Sequence, residues 1–393
     1  MTKRVAILTG GGDVPGLNMC LKSLVYSLID AGYEPIGVRK GWEGLVQYNP
    51  RDPSTYSESF IELTKNTVRP IDRTPGSFLH SSRMEPHTVP RTMVPEFLRK
   101  SKGETQDLTD HIKDVIQRLG YVGVIVIGDD DMLQYAAHLS QLGLPIIGIP
   151  KTIHNNIHGT DYSLGFSTGL ARGVAFIHEL RALAGSREQV FVVETFAAKS
   201  GYSTLLMAFL SGTDRVIIPE VAYDPERLAH LVIEDKKQTP ANYAVVLVCD
   251  GSAVQEDKAD NYASLIQSEA GIAVMRGKAP KHQTPLSSGI IAARLLGHIT
   301  GEPVFLQPLT YLLRTGSPDG QDLLGAANFA IIATRLLEHG RFGRMAAFVQ
   351  DKMWTDVDLN IATQGIKTVN VEAWYDEKIY KPKLSIIWSA AEF

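Results

Sequence analysis

Cysteine is almost missing from this chain: Cys20 and Cys249 are the only two, far apart in apolar stretches, with no CxxC or Cys/His spacing around either. A disulfide framework and a thiolate metal site are thereby excluded, and a reduced compartment fits. No uninterrupted apolar run approaches the roughly 20 residues needed to span a bilayer, which removes an integral membrane role. An excess of one charge is also missing. Lys and Arg number 39 against 43 Asp and Glu, a formal net charge of −4, so no diffuse field draws nucleic acid or acidic lipid, and an anionic ligand must be met by local charges. The N-terminus, Met1 to Ala6, runs straight into a strand-like segment without a charged and apolar leader, so a cytoplasmic location is expected. Internal repeats and low-complexity tracts are absent as well.

The composition that remains is globular, with 44% hydrophobic and 21% charged residues over 393 positions, long enough for two separate cores. Short β-branched runs recur, each ending in Gly, Asp or Pro before a helical stretch: Val5–Leu8, Val122–Ile127, Pro145–Ile149, Val190–Val193, Arg215–Ile218 and Tyr243–Val248. This pattern predicts an α/β protein with buried parallel strands and crossover helices. In such sheets ligands collect at the carboxyl ends of the strands. The polar segment from Tyr48 to Gly103 reads as long loops with short elements, Gln255 to Ser288 as an irregular stretch around one exposed helix, and the residues after Asp351 as a C-terminal extension.

Two strand ends carry unusual residues. The first strand runs into Thr9-Gly10-Gly11-Gly12-Asp13-Val14-Pro15-Gly16-Leu17-Asn18 with a helix behind it. Glycines let backbone amides approach an anion at a helix N-terminus, although a tight turn without a ligand would use the same residues. Another strand ends in Ile127-Gly128-Asp129-Asp130-Asp131-Met132. A helix cap accounts for one aspartate but not three, whereas Mg²⁺ is held by one or two carboxylates together with phosphate oxygens. A dinucleotide-dependent oxidoreductase would need G-x-G-x-x-G and a ribose-binding acid, and neither is present.

A third strand end supplies Pro150-Lys151-Thr152-Ile153-His154-Asn155-Asn156-Ile157-His158-Gly159-Thr160-Asp161, followed by Leu164-Gly165-Phe166-Ser167-Thr168-Gly169. In this order and spacing the three motifs resemble the phosphofructokinase family. The resemblance continues through Gly41-Trp42-Glu43-Gly44-Leu45, Gly76 to Arg83, Val192-Val193-Glu194, Lys199 to Tyr202, Ile218-Pro219-Glu220, Cys249-Asp250-Gly251 and Leu309 to Pro318.

The resemblance implies two Rossmann-like lobes with mainly parallel sheets flanked by helices. Residues 1–160 and 313–350 would form the lobe for the phosphoryl donor and magnesium, residues 161–312 the acceptor lobe, and 351–393 an extension packing on the body. It implies Mg²⁺-dependent phosphoryl transfer to a sugar hydroxyl, a phosphorylated small-molecule ligand, and assembly as a homodimer or homotetramer. Gly11, Gly12, Asp13, Asp131 and Lys151 would hold the donor, Asp130 the metal, and Arg83 would bridge the phosphoryl group. Asp131 and Lys151 look like the pyrophosphate-using branch, because ATP-using members typically carry glycine at both places. A carboxylate blocks a nucleotide's α-phosphate while an ammonium neutralises the shorter donor.

The match breaks where the chemistry is done. Active relatives have aspartate at His154 and Asn156, the first as the base toward the sugar hydroxyl, so His154 becomes a surrogate base or a bystander. On the acceptor side Thr152, Glu194, Asp250, Tyr311 and Arg314 match or stand in for family residues. Phe196-Ala197-Ala198, however, replaces Met-Gly-Arg, and Gln189 and Phe305 replace arginines for the sugar's 6-phosphate. The expectation is an acceptor other than fructose 6-phosphate. The alternative is a catalytically silent paralogue acting as a metabolite-binding regulatory or scaffold subunit.

Overall fold

The computed structural model describes residues 3–100, 102–197, 199–278 and 286–383. The chain divides into two compact units, one made of residues 1–168 and 314–366, the other of 169–313 and 367–393. Among the described residues no helix is long and apolar enough to cross a membrane.

The first unit is built on a seven-stranded sheet in the order Met353–Asp358, Arg344–Val349, Ile146–Pro150, Gly123–Gly128, Lys3–Thr9, Tyr33–Val38, Phe60–Glu62. The five inner strands run parallel, and the two edge strands are antiparallel to their neighbours. Gly123–Gly128 and Ile146–Pro150 are buried along their whole length, which is why they consist of Val, Ile, Gly and a final Pro rather than alternating with polar residues. Helix Leu17–Asp30 buries Leu17, Leu21, Leu24, Val25 and Leu28, a stripe at helical spacing, and packs on helix Gly320–Glu338. After Lys3–Thr9 the chain moves to one side of the sheet, and the strands from Gly123 onward build the other side. The order therefore reverses beside the carboxyl end of Lys3–Thr9, the place where open α/β sheets bind ligands.

The second unit holds a four-stranded, all-parallel sheet in the order Val304–Pro308, Val190–Thr195, Ala244–Cys249, Arg215–Ile217. Its C-terminal segment is tied to the Arg215–Ile217 edge, because Val216 N–H donates to the Tyr380 carbonyl at 2.9 Å and Tyr375 Oη donates to the Val216 carbonyl at 2.8 Å. Arg215 is buried and makes a two-pronged ion pair with Asp235, Nε to Oδ2 at 2.5 Å and Nη2 to Oδ1 at 2.7 Å.

The Tyr48 to Gly103 segment holds only short helical turns and short strands. The Gln255 to Ser288 stretch differs from expectation. It carries two helices, Glu256–Ile266 and Glu269–Met275, since Ser268 accepts from Gly271 N–H and caps a second helix start; its residues 279–285 lie outside the described residues, as do 384–393 of the C-terminal segment.

Candidate functional site

Strand register brings three loops of the first unit to one edge. Thr9 pairs with Ile127 and Gly128 with Pro150, so the chain leaves all three strands at the same level. Gly10 N–H then donates to Ile127 O at 3.2 Å, and Lys151 N–H to Gly128 O at 2.9 Å. The glycine turn, the aspartate run and the Lys151 loop thus share one edge of the sheet. A fourth segment is laced onto them: Gly11 N–H donates to Ser82 O at 3.2 Å, and Asn18 Oδ1 accepts from Phe78 N–H at 2.9 Å. This lacing delivers Arg83 to the turn.

The turn is packed by side chains on every face. A Cβ placed on Gly10 would lie 2.4 Å from the Met132 sulfur, one on Gly11 1.9 Å from Oδ2 of Asp129, and one on Gly12 2.3 Å from Nη1 of Arg314 and 3.1 Å from Nη2 of Arg83. Gly11 has φ +78°, so both its backbone and its neighbours require glycine. Gly12 N–H donates to Asp129 Oδ2 at 3.2 Å.

Lys151 is 1% exposed, and its Nζ donates to the Gly12 carbonyl. Burial pushes its ammonium pKa down to about 8, Arg314 and Arg83 adding to the shift while Asp129 and Asp13 oppose it. His154 is partly buried. Burial first, then Arg314 and Arg83, hold its pKa well below the usual histidine range, so the ring is neutral at pH 7. Its Nε2 lies 3.3 Å from Nη2 of Arg314, whose Nη1 donates to Asp13 O, also at 3.3 Å. Thr152 is buried, and its hydroxyl accepts from the His154 N–H at 3.1 Å. Asn155 sits at φ +52°, a conformation asparagine tolerates, and donates from Nδ2 to Asp161 O at 2.8 Å. Asn156 is buried with its side-chain oxygen unpartnered.

Asp130 and Asp131 form the first turn of helix Asp130–Gln141, Asp131 exposed and Asp130 partly buried. Asp13 and Asp129 each have a buried Oδ1 without a hydrogen-bond partner. Among the described residues no three His, Cys, Asp or Glu groups come close enough to hold a metal by themselves. The orphaned oxygen of Asp13 fits Mg²⁺, which takes one or two carboxylates and completes its shell with water and phosphate.

The acceptor-side residues of the second unit also gather at a carboxyl edge, because Pro308 pairs with Glu194 and Cys249 with Thr195. Glu194 is buried and committed to a helix start: Gly289 N–H donates to Oε1 and the Ser287 hydroxyl to Oε2, both at 2.8 Å. Asp250 Oδ1 accepts from Ala197 N–H. Phe196 meets Tyr311 edge-on with ring centroids 5.1 Å apart, and Tyr311 is 64% exposed. Phe305 packs on Phe191 at 4.8 Å. Ala197 has φ +150°, and Ala198 lies outside the described residues.

The structure therefore brings Gly11, Gly12, Asp13, Lys151, His154, Arg83 and Arg314 together in the first unit, and Glu194, Phe196, Asp250 and Tyr311 along one edge of the second. Asp129 and Met132 stand where the resemblance to phosphofructokinases would place glycine and a small hydroxyl residue, a departure that puts the donor geometry in doubt; their contacts with Gly10, Gly11 and Gly12 are visible only in the structure.

A family model described as phosphofructokinase matches residues 4–337. The chain is 27% identical over 379 residues to an ATP-dependent 6-phosphofructokinase of Clostridium tetani, covering 96% of this chain and 98% of that one. It is 28% identical over 373 residues to one from Halothermothrix orenii, covering 95% and 97%. A crystal structure described as a pyrophosphate-dependent phosphofructokinase from Marinobacter aquaeolei superposes with a TM-score of 0.73 at 15% identity, covering 97% of this chain and 89% of that one, a likeness of fold. With the family model spanning most of its length and the three motif loops meeting at one sheet edge, the chain belongs to the phosphofructokinase family.

Proposed function

We propose that this protein is a Mg²⁺-dependent phosphotransferase that takes its phosphoryl group from pyrophosphate and passes it to a hydroxyl of a sugar or sugar phosphate other than fructose 6-phosphate. The observation that carries this reading is Lys151: a buried ammonium bonded to the carbonyl of the glycine turn, at the strand-order reversal where such folds place anions. Together with Asp131 in the next loop it favours a short donor, although the named relatives are ATP-dependent. The first unit serves the donor, with Gly11, Gly12, Asp13 and Lys151 around it. Asp130, with the orphaned oxygen of Asp13, would hold Mg²⁺, which supplies charge neutralisation.

In the transfer, a sugar hydroxyl oxygen forms the new O–P bond, the bridging P–O bond breaks, and the hydroxyl proton ends on the orthophosphate that leaves. Arg83, Arg314 and Lys151 offset the charge that develops. Acceptor roles fall to Thr152 in the first unit and, in the second, to Asp250, Tyr311, Phe196 and Glu194, the last by fixing a helix start. Replacement of the family's arginines by Gln189 and Phe305 supports a changed acceptor and, in a homodimer or homotetramer, a changed interface.

The test is incubation with Mg²⁺ and either pyrophosphate or ATP over a panel of sugars, polyols and sugar phosphates. Orthophosphate release tied to a phosphorylated product with pyrophosphate is expected, and silence with every pair overturns the reading. A second reading, a metabolite-binding paralogue without turnover, is favoured by the pairing of His154 with Arg314. It predicts sugar-phosphate binding in calorimetry with no product.

A further inference from the structure

We propose that Asp129 is an internal occupant of the glycine turn, its carboxylate holding the place of a donor oxygen at Gly12 and having to swing out before a polyphosphate binds. The proposal rests on the donor-site reading above. Asp129 stands at the N-cap of helix Asp130–Gln141 with extended backbone, φ −80° and ψ −171°, yet its side chain makes no capping bond to that helix. Aspartate at this position ordinarily accepts from the second or third amide of its own helix. Here Oδ2 accepts instead from Gly12 N–H at 3.2 Å, while Oδ1 is buried with no partner. The carboxylate enters only because Gly11 lacks a side chain, since a Cβ there would lie 1.9 Å from Oδ2.

Two features make this a latch rather than a fixed strut. An orphaned buried oxygen is an energetic liability, and a second seat exists at the amides of the helix that Asp129 begins. A donor phosphate competes for the same Gly12 N–H and is repelled by the carboxylate while it stays. The affinity measured is then reduced by the fraction of molecules in which the latch is open. The ligand class is a magnesium-bound polyphosphate, pyrophosphate or the terminal phosphates of a nucleotide.

The full chain with Asp129→Ala and with the isosteric Asp129→Asn is to be compared with the parent by two measurements. Amide hydrogen exchange at Gly12 reads the contact without any ligand, and titration calorimetry with Mg-pyrophosphate and Mg-ATP reads donor binding. In Asp129→Ala, exchange at Gly12 should speed by about tenfold or more and polyphosphate affinity rise on the order of 10- to 100-fold, the scale of one charge-assisted hydrogen bond. Asp129→Asn keeps an acceptor and loses the charge, so its affinity should rise about tenfold with smaller change in exchange. Unchanged Gly12 exchange in the alanine variant, or polyphosphate bound equally tightly by parent and variants, overturns the latch. Faster exchange with no polyphosphate bound by any form upholds the contact and overturns the donor reading instead.

Discussion

Nη2 of Arg314 faces Nε2 of His154 at 3.3 Å. A guanidinium is always protonated and only donates, so Nε2 is the acceptor and the ring proton lies on Nδ1. The lone pair that a general base would turn to a sugar hydroxyl is already engaged, and burial beside two arginines disfavours imidazolium. On this geometry the proposed transfer would rest on positioning and charge rather than on this ring.

His154→Gln should therefore change kcat by less than about tenfold, whereas His154→Asp, which restores a basic carboxylate, should raise it on the order of 10²-fold, the lower end of what a positioned base supplies. Steady-state release of orthophosphate from Mg-pyrophosphate with the best acceptor checks both. A hundredfold loss in His154→Gln would make the imidazole the working base after all.

With Lys151 in the proposed donor role, donor binding should depend on pH in a predictable direction. The ammonium titrates at about 8 in the fold against 10.5 in an unfolded chain, and only the charged form neutralises a polyphosphate. Affinity for Mg-pyrophosphate should be flat below about pH 8 and fall by up to about tenfold per unit above it, to the extent that the bound anion does not hold the proton in place. Calorimetric titrations between pH 7 and 9.5 check it; constant affinity across that range would show that Lys151 does not bear on the donor.

The same lysine costs stability. Between pH 8 and 10.5 the unfolded chain keeps a proton that the folded chain gives up, so Lys151's contribution rises with pH over that window, and below it the burial penalty is fully present. That penalty is on the order of 3 kcal/mol, from about 1.4 kcal/mol per pKa unit. Lys151→Met should gain about 1 to 3 kcal/mol at pH 7, after loss of the bond to Gly12 O, while abolishing polyphosphate binding. Urea denaturation of parent and variant at pH 7 and pH 10 isolates the term, because the advantage of methionine should shrink at the higher pH.

Much of this arrangement was legible in the residues, and the parts that were not have identifiable causes. Gly123–Gly128 and Ile146–Pro150, and Lys3–Thr9 from Val5 onward, are buried on both faces, so nearly every side chain is apolar and the run is unbroken. Tyr33–Val38 escaped because Glu34, Pro35 and Gly37 interrupt it. Arg344–Val349 and Met353–Asp358 escaped because an edge hairpin tolerates Arg, Asp and Trp. The loops around Gly12, Lys151 and His154 follow from motif order, since parallel strands in register must release them at one edge. The direction of the Asp129 carboxylate did not follow. Local preference points it to its own helix, and the contact with Gly12 belongs to residues more than a hundred positions apart.

Ala197 holds a backbone conformation that glycine adopts more easily. Its φ of +150° is a region that side chains rarely adopt, and the surroundings fix it there: its N–H donates to Asp250, and its carbonyl accepts from Ser200 N–H at 2.7 Å. Ala197→Gly should stabilise the protein by about 1 kcal/mol, the relief of strain exceeding the added freedom of the unfolded chain. A higher denaturant midpoint with an unchanged slope is the expected result, and a lower midpoint would show that the methyl group packs favourably.

Asp322 ties the segment after the Lys151 loop to helix Gly320–Glu338. It is 0% exposed, and its Oδ1 accepts from Gly165 N–H and its Oδ2 from Thr168 N–H, both at 2.8 Å, with the hydroxyls of Tyr162 and Thr168 completing the set. Burial nonetheless raises its pKa, these hydrogen bonds opposing the shift. Asp322→Ala removes the acceptor for two backbone amides and two hydroxyls at once, leaving several donors buried without partners. A loss on the order of 3 to 5 kcal/mol is expected, read as a fall in the denaturation midpoint. Asp322→Asn, which keeps one carbonyl oxygen and loses the other acceptor, should fall between parent and alanine. If both variants unfold at the parent's midpoint, this carboxylate does not hold the segment in place.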